Sequence, residues 1–462
     1  MQRMNLDWII KAADAEWVVK PQQEMQVDWI AAELGEVRPG CLYLELNPGT
    51  AEAAASKGAA AIISDHPPAE CSVPCAVSSG APYDTLCRIA SWYRRQFHTR
   101  IVTIAGADGK TTVREMLYRI LSEEQKTSRT RWELTGDLGV PETLLGLDAD
   151  DRCAVVEMGF TTPGSFERLG KICRPSAAII TGIGSAHLGS FGDKETILKE
   201  RMSLTRAMAS TDPVILCADD PMLYNLAGDV SGDVLYYGIE TPCDVNGKIV
   251  SQQRDMTVMD VSCYGKTTRI RLQMPGRGNC YNALAAFAAA VLMSVPETTI
   301  QRVLERFRAL PGRLSLMTTS MGVTIIDDSW TSTPESVREA ADYFAQFESK
   351  RKIAVLGEME DLGTAAASAH RAAGRRIAQA GADMILVCGE HAAEVQEGAA
   401  PYSRTRVQIF QSPDAIGQYL RTDRRDGDVL LFKGGRKSRL ETVIRYVYHD
   451  RDLKRAEPDV NS

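Results

Sequence analysis

Short apolar runs rich in β-branched residues recur along the chain, and the stretches between them carry apolar positions at the three- and four-residue spacing of a helix. Within residues 1–98, the segments 41–46 and 59–64 read as strands, the second after an alanine-rich helical stretch, so a small α/β module is predicted there. The run Arg100-Ile-Val-Thr-Ile-Ala opens a second unit, continued by strand patterns at 154–157, 177–181 and 214–217 with helical patterns between them. Strands alternating with helices imply a parallel, doubly wound sheet. From 244 to 274 the helical signal disappears, and the short alternating stretches 257–263 and 268–272 predict an antiparallel β insert before an alanine-rich helix over 279–293.

Beyond Pro311-Gly312 the alternation resumes, with strand patterns at 323–326, 353–356, 384–388, 407–410 and 429–432. Val337, Ala340, Ala341 and Phe344 share one helical face behind Pro334, which suits a first helical turn. The predicted fold class is therefore α/β in three domains: a small amino-terminal substrate-recognition domain (1–98), a central P-loop domain with the antiparallel insert (99–312), and a Rossmann-like carboxy-terminal domain (313–462). The polar tail after His449 is expected to fray.

A chain of 462 residues exceeds what one core supports, roughly 250 to 300 residues, which agrees with three domains. With 53 basic and 60 acidic residues the net charge is −7, against a nucleic-acid partner recognised through a basic surface. The 11 cysteines are scattered, with only Cys71 and Cys75 close together, so packed, reduced thiols in the cytoplasm are expected rather than disulfides or structural zinc. The amino terminus lacks a basic stretch followed by an apolar core, and the apolar run 283–295 falls short of the about 20 residues that span a bilayer, so neither export nor membrane insertion is expected.

Candidate chemistry concentrates after the strand ending at Ala105. Gly106-Ala-Asp-Gly109-Lys110-Thr111-Thr112 lies between that strand and a helix with Val113, Met116, Leu117, Ile120 and Leu121 on one face. A glycine loop in this position aims backbone N–H groups and a helix N-terminus at an anion, a lysine neutralises β/γ-phosphate charge, and a threonine hydroxyl can ligate magnesium. Gly106, Asp108, Gly109, Lys110, Thr111 and Thr112 are thus the candidate nucleotide contacts, although Ile104 stands where the strict Walker pattern has glycine. Glu157 and His187 each end a buried-strand pattern in the same unit. Taken singly, a strand-end Glu is more often salt-bridged or solvated and a His structural; with Thr111 beside a phosphate loop they form a candidate magnesium (Mg2+) site in the crevice at the carboxyl ends of the strands.

The motifs together resemble the Mur ligase family, and within it the MurF branch, which joins D-alanyl-D-alanine to UDP-N-acetylmuramoyl-tripeptide. Gly106 to Thr112 is similar to the family's ATP loop, Gly139-Val-Pro-Glu-Thr-Leu-Leu145 to the segment after it, and Glu157-Met-Gly159 and Gly182-Ile-Gly-Ser-Ala-His187 to its magnesium motifs. Asn279-Cys-Tyr-Asn282 resembles the helix whose asparagines contact adenine, and Pro311-Gly-Arg313 the arginine at the domain hinge. Asp327-Asp328-Ser-Trp330, Leu356-Gly-Glu-Met359 followed by His370, and Lys433-Gly434-Gly-Arg436 resemble motifs of the MurF carboxy-terminal domain.

The resemblance implies an ATP-dependent amide synthesis: a substrate carboxylate attacks the γ-phosphate, and an amine then displaces phosphate from the acyl phosphate. It implies ATP and magnesium as cofactors, a UDP-sugar peptide and D-alanyl-D-alanine or a related specialised acid and amine as substrates, and Lys110, Glu157 and His187 as catalytic residues. Arg313, Asp327 and Asp328 would close over the nucleotide, and Trp330, Lys433 and Arg436 would meet the substrates. Arg201, a fourth candidate catalytic residue, occupies the position of a lysine that the family modifies to a carbamate; arginine stays protonated, so either a cation replaces the carbamate near the metals or the metal arrangement differs. The segment Glu33-Leu34-Gly35 stands in place of the Asp-Ser-Arg of the sugar site, and Asn47-Pro-Gly-Thr50 is a shortened loop. The alternative is a catalytically altered nucleotide-binding relative serving as a regulatory partner.

Overall fold

The computed structural model describes residues 1–448 and 453–455, apart from 68–70, 132–135, 137, 160–161, 227, 229, 231 and 321. The apolar run Arg100–Ala105 lies inside a nine-stranded sheet, flanked by Cys153–Glu157 and Ala177–Ile180. On one side the sheet ends with Thr127–Arg129; on the other it continues through Val214–Cys217, Val234–Gly238 and Val245–Gln252, all parallel. The expected antiparallel insert, Thr257–Cys263 and Lys266–Leu272, extends this same sheet rather than standing apart from it. The inner strands are buried along nearly their whole length, which is why they read as unbroken apolar runs, whereas Thr257–Cys263 alternates because one face is less covered.

Helix Lys110–Ser122 buries Val113, Met116, Leu117, Ile120 and Leu121 against the sheet and against the alanine-rich helix Arg277–Leu292, whose small side chains let the two approach closely. The amino-terminal unit is a five-stranded sheet: Ile30–Ala31, Leu42–Leu44, Ala61–Ser64 and Cys75–Ser78 run parallel, and Ala15–Val19 closes the edge antiparallel. Its helix Pro82–Arg94 packs into the central domain's core, so one apolar cluster runs from Leu6 to Leu310.

The carboxy-terminal domain has its own seven-stranded sheet. Arg406–Phe410, Met384–Cys388, Lys352–Leu356, Val429–Lys433 and Thr324–Asp328 are parallel, and Ser315–Thr319 is antiparallel to the last. Separate apolar clusters fill its two faces. The expectation that the chain frays after His449 is corrected in part, because Leu453–Arg455 pairs with Ser315–Thr319; residues 449–452 and 456–462 lie outside the described residues. No disulfide joins the cysteines among the described residues, nine of which are buried. No described helix is long and apolar enough to cross a membrane.

Candidate active site at the phosphate loop

The loop after Arg100–Ala105 depends on glycine at two points. Gly106 has φ +135° and Gly109 φ +83°; a Cβ on the first would collide with Thr181 Oγ1, and on the second with Asn282 Oδ1. Gly109 then starts helix Lys110–Ser122, whose first N–H groups face the loop. In this structure the Lys110 ammonium folds back on the carbonyls of Gly106 (3.1 Å) and Ala107 (2.8 Å). Burial pushes its pKa down to about 8; Arg201 and Arg313 act in the same direction, and Glu157 and Asp108 oppose them. An ammonium held this way is short of counter-charge, a state that an incoming phosphate relieves.

Glu157 ends strand Cys153–Glu157 and is buried. The Thr111 hydroxyl donates to its Oε1 at 2.9 Å, and Arg114 Nη1 donates to Oε2 at 3.0 Å. Magnesium fits this donor set: adjacent oxygens of an octahedron with 2.0–2.1 Å bonds lie about 2.9 Å apart, the spacing of Thr111 Oγ1 and Glu157 Oε1. His187 adopts the left-handed conformation (φ +66°) and its Nδ1 lies 3.1 Å from Asp361 Oδ2 of the carboxy-terminal domain. Burial, reinforced by Lys110 and Arg201, holds its pKa below the ordinary histidine value against the pull of Asp361, which favours the neutral imidazole a metal would use.

Arg201 is almost fully buried, donates to the Gly182 carbonyl at 3.0 Å, and is pushed by burial down to about 10, with Asp108 and Asp220 opposing. Its charge lowers the pKa of both Lys110 and His187. Thr112 is buried under the loop. Asn282 donates to Asn279 Oδ1 at 3.2 Å, and Asn279 donates to the Pro275 carbonyl at 2.7 Å, which fixes both at the start of helix Arg277–Leu292.

The carboxy-terminal domain sits directly against the loop. Arg313 bridges, donating to Thr111 Oγ1 at 2.9 Å and Thr331 Oγ1 at 3.0 Å; Thr333 donates to Asp108 Oδ2 at 2.9 Å, and Ser185 to Glu335 Oε1 at 2.8 Å. Asp327 is buried, which raises its pKa, and accepts from Gly312 N and from Ser329; it organises the hinge. Asp328 accepts from Leu314 N and pairs with Lys433 at 3.1 Å. Lys433 also donates to the Thr331 carbonyl and is 1% exposed, so the structure places this expected substrate contact beneath the surface of the cleft. Trp330 lies between Arg436, 4.2 Å from its ring centre, and Arg313 at 6.0 Å. A cavity of about 730 Å³ opens beside it between the two domains, lined by Arg114, Tyr118, Arg129, Phe307, Trp330 and Arg445 among others.

Sequence reasoning missed Arg114, Glu335 and Glu339, and gave no site role to Thr333 and Asp361, which lie in its carboxy-terminal motifs. Glu339 accepts from Gly278 N at 2.6 Å, and a Cβ on either Gly276 or Gly278 would run into its carboxylate. Arg114 stands one turn after Lys110, a spacing that could have flagged it; the others lie in the carboxy-terminal domain, far along the chain from what they touch.

Two family models match: the Mur ligase middle domain over residues 104–290, and the Mur ligase glutamate ligase domain over residues 312–436. Among related proteins, a UDP-N-acetylmuramoyl-tripeptide--D-alanyl-D-alanine ligase of Treponema pallidum is 30% identical over 379 residues, covering 79% of this chain and 80% of its own. The Bacillus subtilis protein of the same name is 27% identical over 360 residues, 78% of each chain. A crystal structure of MurF from Acinetobacter baumannii superposes with a TM-score of 0.87 at 25% identity, covering 97% of this chain and 99% of that one.

Proposed function

The chain belongs to the Mur ligase family of ATP-dependent ligases, and from that premise we propose that it forms an amide bond through an acyl phosphate in the manner of MurF, with the residues around Lys110 as its machinery. The observation that carries this reading is the meeting of three cations, Lys110, Arg201 and Arg313, with the Thr111–Glu157 oxygen pair at the mouth of the glycine loop.

A substrate carboxylate oxygen attacks the γ-phosphorus of ATP and ADP leaves. The amine then attacks the acyl carbon, loses a proton, and inorganic phosphate departs. Lys110 and Arg201 face the charge that builds on the transferring phosphoryl oxygens, and Arg313 moves from Thr111 onto the nucleotide as the ligand enters. Magnesium would be held by Thr111 and Glu157, with His187 as the further ligand its motif implies, and would supply further neutralisation of the phosphate oxygens. Asn279 and Asn282 hold the base, and the Thr333–Asp108 and Ser185–Glu335 contacts keep the two domains shut so that water stays away from the acyl phosphate.

The relatives' names point to UDP-N-acetylmuramoyl-tripeptide and D-alanyl-D-alanine as the acid and amine. A specialised acid is the second reading, favoured by the amino-terminal domain. There the short loop 47–50 is tied down by buried Glu45, which accepts from Thr50 N (2.7 Å), Ala51 N (2.8 Å) and Ser64 Oγ (2.5 Å). The test is mass spectrometry of products from ATP, magnesium, UDP-N-acetylmuramoyl-tripeptide and D-alanyl-D-alanine. ADP with amide supports the MurF assignment, and ADP formed with another acid and amine pair supports the second reading. ATP binding without turnover for any such pair overturns both. Lys110→Ala is expected to abolish ADP formation, and unchanged turnover in that variant would remove Lys110 from the mechanism.

A further inference from the structure

Outside the nucleotide site, one cluster in the carboxy-terminal domain collects metal-ligating groups that the proposed reaction does not use. Glu358 follows strand Lys352–Leu356, His370 lies on helix Ala366–Gln379, and His391 follows the turn after strand Met384–Cys388. Glu358 Oε1 is 2.5 Å from His391 Nδ1 and 3.2 Å from His370 Nε2, and one donor atom from each residue lies within 4.8 Å of the others. Ligand atoms around a tetrahedral zinc, with bonds of about 2.0–2.1 Å, stand about 3.4 Å apart, so small side-chain movements bring the three groups to the spacing of a coordination shell.

Two features go beyond proximity. His370 Nδ1 lies 2.8 Å from the Ala366 carbonyl, which can accept only if Nδ1 carries the proton; Nε2 is therefore the unprotonated nitrogen, its lone pair taken up by Met359 N–H with Glu358 Oε1 3.2 Å away. A histidine whose Nδ1–H is held by a backbone carbonyl, leaving Nε2 as the basic nitrogen beside other donor groups, is the arrangement that prepares an imidazole for a metal. Gly389 has φ +123°, and a Cβ there would collide with Glu358 Oε2, so glycine is what lets the carboxylate reach the pair of imidazoles.

We propose that Glu358, His370 and His391 form a second metal site, specific for a borderline divalent ion of the zinc type and distinct from the magnesium site at the phosphate loop. Two imidazoles and one carboxylate suit zinc, cobalt or nickel and are poor ligands for magnesium, which prefers oxygen. Met359 N donates to His370 Nε2 at 3.0 Å, and the imidazole rings stack at 4.7 Å and 14°. Loading exchanges the Met359 and His391 donors for the ion and turns the His391 ring, which is 20% exposed, so that its lone pair meets the ion in plane. The Glu358 peptide is itself anchored, its N–H on Ser438 Oγ (2.9 Å) and its carbonyl on Gly435 N (2.9 Å). An ion here would pin the segment carrying Lys433 and Arg436 to the ends of two strands.

The experiment titrates the full-length protein, stripped with a chelator, with zinc chloride in the presence of millimolar magnesium, following bound zinc with a fluorescent indicator and thermal stability in parallel. Wild type is expected to take up zinc at this site and gain stability; His391→Ala is expected to lose that uptake, with affinity down at least tenfold, whereas His187→Ala keeps it. Cobalt replaces zinc as a second readout, and its d–d absorption should change in His391→Ala and Glu358→Gln. His391→Ala is chosen first because the ring borders solvent; its melting point without metal, compared with that of wild type, reports its folding. Absence of uptake by wild type, or unchanged uptake and spectrum in a folded His391→Ala, overturns the proposal.

Discussion

Glu339 offers the sharpest energetic test of how the domains meet. Its carboxylate, carried on helix Pro334–Ala345, accepts from Gly278 N at the start of a central-domain helix and is enclosed enough that its pKa rises to about 7. Burial is the main cause; Asp328 and Asp108 add to it, while Gly278 N and Lys433 work against it. A carboxylic acid with a raised folded-state pKa binds its proton more tightly when folded, so stability is greatest below the unfolded value and declines as pH climbs toward 7, above which the loss is constant. With an unfolded value near 4.3 and 1.36 kcal/mol per unit, the full loss is about 4 kcal/mol; by surface area the residue is only partly buried, so about 2 kcal/mol is the working figure. Glu339→Gln keeps an oxygen for Gly278 N and removes the titration. The variant is therefore expected to match wild type near pH 5 and to exceed it by about 2 kcal/mol at pH 8. Thermal melts across pH 5–9 read this out, with small-angle scattering to report whether ionisation opens the domain interface instead of unfolding it. Parallel pH profiles for both proteins in both measurements would refute the reasoning.

Three further outcomes are expected. Gly109→Ala forces a side chain into the left-handed region, costing about 1–2 kcal/mol, and pushes Asn282 aside, so ATP affinity measured by calorimetry should fall about tenfold or more. Arg201→Ala should lower the rate of ADP formation without rescue by bicarbonate; activity in Arg201→Lys that rises with bicarbonate would show instead that the position still supports a carbamate. Thr333→Val removes the bond to Asp108 and leaves that carboxylate short of a donor, so hydrolysis of ATP uncoupled from amide formation should increase, seen as a higher ratio of ADP to amide.

The parts of the fold that were legible in the sequence are those where one periodicity dominates. Arg100–Ala105, Cys153–Glu157, Ala177–Ile180 and Val214–Cys217 are buried apolar runs and stand where the pattern put them. Thr127–Arg129 was not legible because a three-residue edge strand of polar residues has no apolar face to betray it. The phosphate loop could be read because strand, glycines, lysine and helix are contiguous. Its companions could not: Asp108 meets Thr333, and His187 meets Asp361, only through the packing of one domain on another, and no local spacing encodes such a meeting. Arg114 was hidden for a different reason. Beside an apolar helical face an arginine reads as solvated, and Glu157 on the neighbouring strand, with Glu115 at 3.8 Å, makes its full burial tolerable.

The order of strands in the central sheet also bears on how the chain is made. Arg100–Ala105 leaves the ribosome first yet takes an inner place, and both of its neighbours, Cys153–Glu157 and Ala177–Ile180, come later. At 5–20 residues per second the stretch from 105 to 180 takes roughly 4 to 15 s to synthesise; the nascent strand has two unpaired edges until Cys153–Glu157 is made and one until Ala177–Ile180 follows. Slow translation between those points should therefore lower the yield of native protein more than the same delay placed after Cys217, when the strand is already enclosed.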